Sequence, residues 1–253
     1  MTGEVLRAPD VATLQRMAAE LFVTAALDAT RARGVFTVVL SGGTTPKGVY
    51  ERLADDEALR SQVPWESVLF FWGDERHVPP DHPDSNFRMA NEAMLRRLPL
   101  DPNHVWRIKG EYEDASKAAD EYERDLRRIV GSNVGGGAML PRFDLVLLGM
   151  GADGHTASLF PGTAAVHEQR RLVMANRVPR FDTDRITLTA PVLNNGSDVM
   201  FLVQGADKAD ALHAVLEGPQ DPERLPSQLI RPRHGRLRWL VDPAAAARLS
   251  ATL

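Results

Sequence analysis

Apolar residues recur at helical spacing through Val11, Leu14, Met17, Ala18, Leu21, Phe22 and Ala25, with Gly34 as a stop signal. Residues 10–33 are therefore predicted to form one long first helix. The pattern then changes to a β-branched run at 35–40, a predicted strand, and back to helical spacing through Val49, Tyr50 and Leu53. Residues 68–72 read as another strand, 86–98 as a helix and 104–108 as a short strand. An amphipathic helix is predicted over 114–130, with Ala118, Tyr122, Leu126 and Ile129 on one face. Residues 131–137 are rich in glycine and are predicted to form a flexible surface connection. Further strands are predicted at 143–148, 172–175, 185–189, 198–203 and 237–241. Helices are expected over 206–216 and, alanine-rich, over 243–253.

Repeated strand-loop-helix units imply an α/β fold: a mainly parallel, open, Rossmann-like sheet with helices on both faces and the loops gathered along one edge. At 253 residues with 43% hydrophobic content the chain is read as a single domain, residues 1–253.

Three loops at strand ends carry the candidate chemistry. After the strand at 143–148 comes Gly149-Met150-Gly151-Ala152-Asp153-Gly154-His155, whose glycines permit positive φ and close approach to a ligand. The stretch spells the G-x-G-x-x-G dinucleotide fingerprint, but Pro161-Gly162 stops any long crossover helix. The strand at 172–175 runs into Asn176-Arg177 without a terminal carboxylate, so a nicotinamide cofactor is not expected. Ser41-Gly42-Gly43-Thr44-Thr45-Pro46 lies between a strand and a helix start. Its amides and hydroxyls suit a phosphate, or else form a tight turn with an N-cap. The third loop, Gly73-Asp74-Glu75-Arg76-His77-Val78-Pro79, sets four ionisable residues in a row at a strand end, either a functional cluster or a solvated face.

Composition narrows the partners. A net charge of −4, a pI of ≈ 6.0 and scattered basic residues give no field for nucleic acid. The chain has no cysteine, which excludes disulfides and thiolate chemistry. No apolar run approaches the roughly 18 residues of a membrane span, and the first residues lack a signal-peptide core, so no membrane association and a cytoplasmic location are expected.

Together, residues 40–46, 72–79 and 149–161 resemble the 6-phosphogluconolactonase family in order and spacing, and the likeness continues through residues 185–189 and Gly205-Ala206-Asp207-Lys208. That family shares its fold with glucosamine-6-phosphate deaminases and isomerases. Ala157-Ser158-Leu159-Phe160-Pro161 after His155 is similar to the lactonases, where the deaminases continue into Asn-Glu-Pro. The resemblance implies hydrolysis of 6-phospho-D-glucono-1,5-lactone to 6-phosphogluconate in the pentose phosphate route.

A lactone is an activated ester, so water and a general base suffice and neither metal nor cofactor is required. His155 is the expected base, because imidazole titrates near neutral pH. Asp153 either orients its ring or caps a short following helix. Arg76 either neutralises the developing oxyanion or contacts substrate, with Asp74 and Glu75 completing the charged cluster or holding Arg76 in place. Phosphate binding is expected from Ser41, Gly42, Gly43 and Thr44, with charge from Arg185 and Lys208. A strand-edge position for Arg185, or a plain first-turn position for Lys208, is the alternative. Oligomeric state is not legible in the sequence.

Overall fold

The computed structural model describes residues 3–133 and 140–251. Its elements in chain order are β1 (Glu4–Arg7), α1 (Val11–Arg33), β2 (Phe36–Leu40), α2 (Thr44–Asp55), α3 (Glu57–Arg60), β3 (Val68–Trp72), β4 (Asp74–Arg76) and α4 (Asn86–Ala93). These are followed by α5 (Ala115–Asn133), β5 (Leu145–Gly149), β6 (Val173–Val178), β7 (Thr183–Leu188), α6 (Ala190–Leu193), β8 (Asp198–Val203), α7 (Ala209–Leu216) and β9 (Arg236–Val241).

Six strands form one parallel sheet in the order β1-β9-β8-β5-β2-β3. Every residue of β2, β3 and β8 is buried, so both faces of the sheet are covered, as the continuous apolar runs require. The expected α/β class holds, and the carboxyl ends of β2, β3, β5 and β8 place their loops along one edge.

Helix α1 shows how the pattern becomes packing. Asp10 caps it by accepting from Thr13 N at 2.7 Å, and Gly34 ends it at φ 76°. Its inward stripe includes Leu14, Ala18, Phe22 and Ala26, and Phe22 meets Phe36 of β2 edge-on at 5.3 Å. Burying a ring of this size is worth on the order of 2 kcal/mol.

The structure corrects several expectations. The chain does not open on the long helix: β1 precedes it and pairs with β9 as an edge strand. The charged run after β3 is a strand, not a loop. β4 pairs antiparallel with β7, which pairs with β6 in a second, three-stranded sheet. β6 continues through Asn176 and Arg177 because Asn176 is buried and bonded to Ser158 O and Thr163 Oγ1. Residues 104–108 make only a single bridge, Val105 to Phe70, after a 3-10 turn. The helix expected over 86–98 breaks at Met94, whose φ of −141° is not helical. The alanine-rich end forms only a 3-10 turn, Ala245–Arg248, since Pro243 and the short run leave too few residues for nucleation. α5 continues to Asn133, three residues into the expected glycine-rich connection; the rest of that connection lies outside the described residues.

Candidate active site

A cleft of ≈ 230 Å³ opens at the carboxyl edge of the parallel sheet. Its floor is the loop between β2 and α2. The buried Tyr50 hydroxyl donates to Ser41 O and accepts from Ser41 N, both at 2.9 Å, and so fixes where the loop departs from the strand. Burial pushes that hydroxyl well above its ordinary pKa, so it stays neutral. Gly43, at φ 105°, precedes α2, and no side chain caps the helix. The first-turn amides at Thr44 and Thr45 thus meet the cleft at the positive end of α2. Gly42 is glycine for a different reason: a Cβ there would lie 2.0 Å from Asn86 Oδ1.

The second wall comes from β4, and its three charged residues separate. Asp74 and Arg76 line the cleft. Asp74 is buried, and its Oδ2 accepts from Ser158 Oγ at 2.7 Å while Asn86 Nδ2 lies 3.4 Å from Oδ1. Glu75 turns away from the cleft. Its carboxylate accepts from Arg76 N, Asn86 N, Phe87 N and Ser85 Oγ at 2.7–2.9 Å, capping α4. Glu75 therefore does not line the cleft, and its two oxygens are taken up by the β4 backbone and the start of α4. Burial raises its carboxyl pKa despite these four donors. Arg76 donates to Asp84 O at 3.1 Å, and its Nε is buried with no partner among the described residues.

The third wall is the loop after β5. Asp153 Oδ1 lies 2.5 Å from His155 Nδ1 and 3.2 Å from His155 N, so one carboxylate oxygen fixes both ring and backbone. The carboxylate makes Nδ1 the protonated nitrogen and leaves the Nε2 lone pair free. Burial alone would raise the Asp153 carboxyl, but the hydrogen bond and charge of His155 overcome it and bring it down to about 2. The ring stacks on Phe160, centroids 4.1 Å apart and planes at 25°. Gly151 has to be glycine, since a Cβ would sit 2.0 Å from His155 Nδ1. No helix follows directly on Gly154; residues 152–159 are turns closed by a single bridge, Thr156 to Leu159, so Asp153 has no helix to cap and holds the imidazole.

Lys208 reaches the cleft from the 3-10 turn Ala206–Lys208 and pairs with Asp207 at 2.9 Å. Arg185 of β7 sits directly across from Arg76 of β4 and adjoins the cleft without lining it. Burial, then the Arg76 cation, lowers its guanidinium pKa. Like charges facing each other across a ladder are unfavourable unless an anion lies between or beside them. Two polar lining residues outside the three predicted loops escaped the sequence reading, Asn86 and Gln204. Gln204 follows β8 directly, and a polar residue at the carboxyl end of a parallel strand was the available signal. Its Oε1 is buried with no partner among the described residues. Among those residues, no group of three or more histidine or carboxylate side chains is placed to hold a metal ion, and no helix is long and apolar enough to cross a membrane.

Comparison with known proteins extends this geometry. Residues 9–239 match the family described as glucosamine-6-phosphate isomerases/6-phosphogluconolactonase. The chain is 41% identical to a 6-phosphogluconolactonase of a Nostoc species, over 98% of each chain. It is also 41% identical to one of a Synechocystis species, over 86% of each. The solved 6-phosphogluconolactonase of Trypanosoma cruzi superposes with a TM-score of 0.85 at 29% identity, covering 98% of this chain and 97% of that one. The chain therefore belongs to the glucosamine-6-phosphate isomerase/6-phosphogluconolactonase family.

Proposed function

We propose that the protein hydrolyses 6-phospho-D-glucono-1,5-lactone to 6-phospho-D-gluconate, acting as one domain over residues 1–253 in the cytoplasm, within the pentose phosphate route. The observation that carries this reading is the Asp153–His155 pair, with Nε2 free, on the wall of a cleft whose floor is the uncapped start of α2. The relatives' names supply the substrate. His155 Nε2 removes a proton from water as its oxygen bonds to C1, and the carbonyl electrons move onto the exocyclic oxygen. Arg76, with its unsatisfied Nε, faces that developing charge. When the tetrahedral centre collapses, the C1–ring oxygen bond breaks and the imidazolium returns its proton to the departing oxygen. Asp153 keeps the ring in the productive tautomer throughout.

The substrate phosphate is held by the loop Ser41, Gly42, Gly43 and Thr44 at the α2 terminus, with Lys208 and Arg185 supplying charge. Asp74 and Gln204 offer acceptors for sugar hydroxyls. Neither metal nor cofactor has a step in this scheme.

The test is hydrolysis of freshly generated lactone, coupled to 6-phosphogluconate dehydrogenase and corrected for spontaneous opening. The expected result is acceleration proportional to protein, lost by about 10³-fold in a folded His155→Ala variant. No acceleration by the wild type, or ammonia release from glucosamine 6-phosphate, would overturn the reading.

A further inference from the structure

The β6–β7 hairpin ends in a 3-10 turn, Pro179–Phe181, closed by Asp182 at a left-handed φ of 47°. This tip comes from the second sheet, yet one of its side chains reaches Asp153 and another reaches the Phe160 ring on which His155 stacks. Arg180 Nη1 lies 3.0 Å from Asp153 Oδ2, while His155 holds the other oxygen, Oδ1. Phe181 meets Phe160 edge-on at 5.7 Å, and Phe160 in turn carries the imidazole. The Arg180 and Arg185 guanidiniums lie 5.3 and 5.8 Å from the Phe181 ring centroid. Phe181 is the one large apolar side chain exposed among the described residues, at 47%.

We propose that Arg180 is a positioning residue for the His155–Asp153 pair, holding from outside the cleft the carboxylate that orients the base. The inference rests on the lactonase reading for its rate effects, but its structural content is independent of any substrate. With Oδ2 bonded to Arg180, the carboxylate cannot rotate away from Nδ1. The same cation withdraws part of the negative charge that would otherwise favour the imidazolium.

The charged groups around the ring come from four places: Asp153 on its own loop, Arg180 and Arg185 from the hairpin, Asp74 and Arg76 from β4, and Lys208 from the turn before α7. Loss of Arg180 removes a cation, so the ring takes up its proton more readily. The acidic limb of the rate profile then moves to higher pH. Because the Arg180 side chain is 67% exposed, water screens the effect.

The test compares wild type, Arg180→Ala and Arg180→Lys in two measurements. In ligand-free protein, the pH midpoint of the His155 ring resonances is followed by NMR, with His155→Gln for assignment. In Arg180→Ala it moves up by roughly half a pH unit, and Arg180→Lys restores most of the shift. In lactone hydrolysis, kcat of Arg180→Ala falls about fivefold with KM within about twofold, and the acidic limb of kcat/KM follows the NMR midpoint. An unmoved midpoint overturns the proposal whether or not the protein turns over lactone. A raised KM with unchanged kcat and limb overturns it in favour of direct substrate contact by Arg180. Absence of wild-type turnover together with a shifted midpoint would defeat the lactonase reading and leave the positioning role standing.

Discussion

Glu75 and Asp153 both lie beyond carboxyl ends of the parallel sheet, one after β3 and one after β5 with β2 between, yet their surroundings push them in opposite directions. Glu75 is 2% exposed and is met by three backbone amides and a hydroxyl, none of which can change protonation state. Asp153 is half-buried and is met by an imidazole and a guanidinium, and its carboxyl falls to about 2 while that of Glu75 rises. A carboxylate held by fixed dipoles serves the fold; one held by an imidazole is, in the proposed mechanism, the one that serves the reaction.

Isosteric amides give the hardest test of that contrast. Asp153→Asn is expected to lower kcat by about 10²-fold, roughly 2.7 kcal/mol of barrier, because an amide no longer dictates the imidazole tautomer. Its melting temperature should stay within a few degrees of wild type, and calorimetry beside the kinetics would show whether the two effects separate. Glu75→Gln should do the reverse. Its NH₂ faces a donor at the start of α4, costing about 2 kcal/mol in denaturant unfolding, with kcat per folded molecule preserved. If Glu75→Gln lost turnover at full stability, the division between the two carboxylates would fail.

Acid unfolding refines the same contrast with the smallest effect. The Asp153 carboxyl is depressed in the folded state, so its contribution is present above the unfolded value near 3.8 and is lost as pH falls toward about 2. The Glu75 carboxyl is raised, so the folded state gains relative stability as pH falls through its elevated value. Stability measured from pH 6 to pH 2 should therefore decline less steeply below pH 4 in Asp153→Asn. The Glu75→Gln variant should lack the gain at the upper end. After solvent screening the Asp153 difference is under about 1 kcal/mol.

How much of this was legible in sequence depended on whether a residue's partners were near it in the chain. The strands β2, β3, β5 and β8 announce themselves because burial on both faces demands continuous apolar runs. His155 and Asp153 are two residues apart, so their pairing could be anticipated. β4 could not: a strand of Asp74, Glu75 and Arg76 makes sense only once Ser158, the α4 terminus and β7 surround it. β1 is a four-residue edge strand with half-exposed positions, too short for any period to show. Arg180 lies 27 residues from Asp153, and no local pattern joins them.

The contact between Gly42 and Asn86 bears on how the cleft can be altered. With 2.0 Å between a would-be Cβ and Asn86 Oδ1, positions 42 and 86 form a lock with one half on the floor and the other beside the β4 wall. Asn86 also donates to Asp74 O at 3.0 Å, so pressure applied at the floor reaches the acidic wall. Redesign for a larger or differently charged sugar would have to change both positions in one step, since either intermediate would be penalised. Drift among relatives should show the two residues exchanging as a pair, with a side chain at 42 only where 86 has become small.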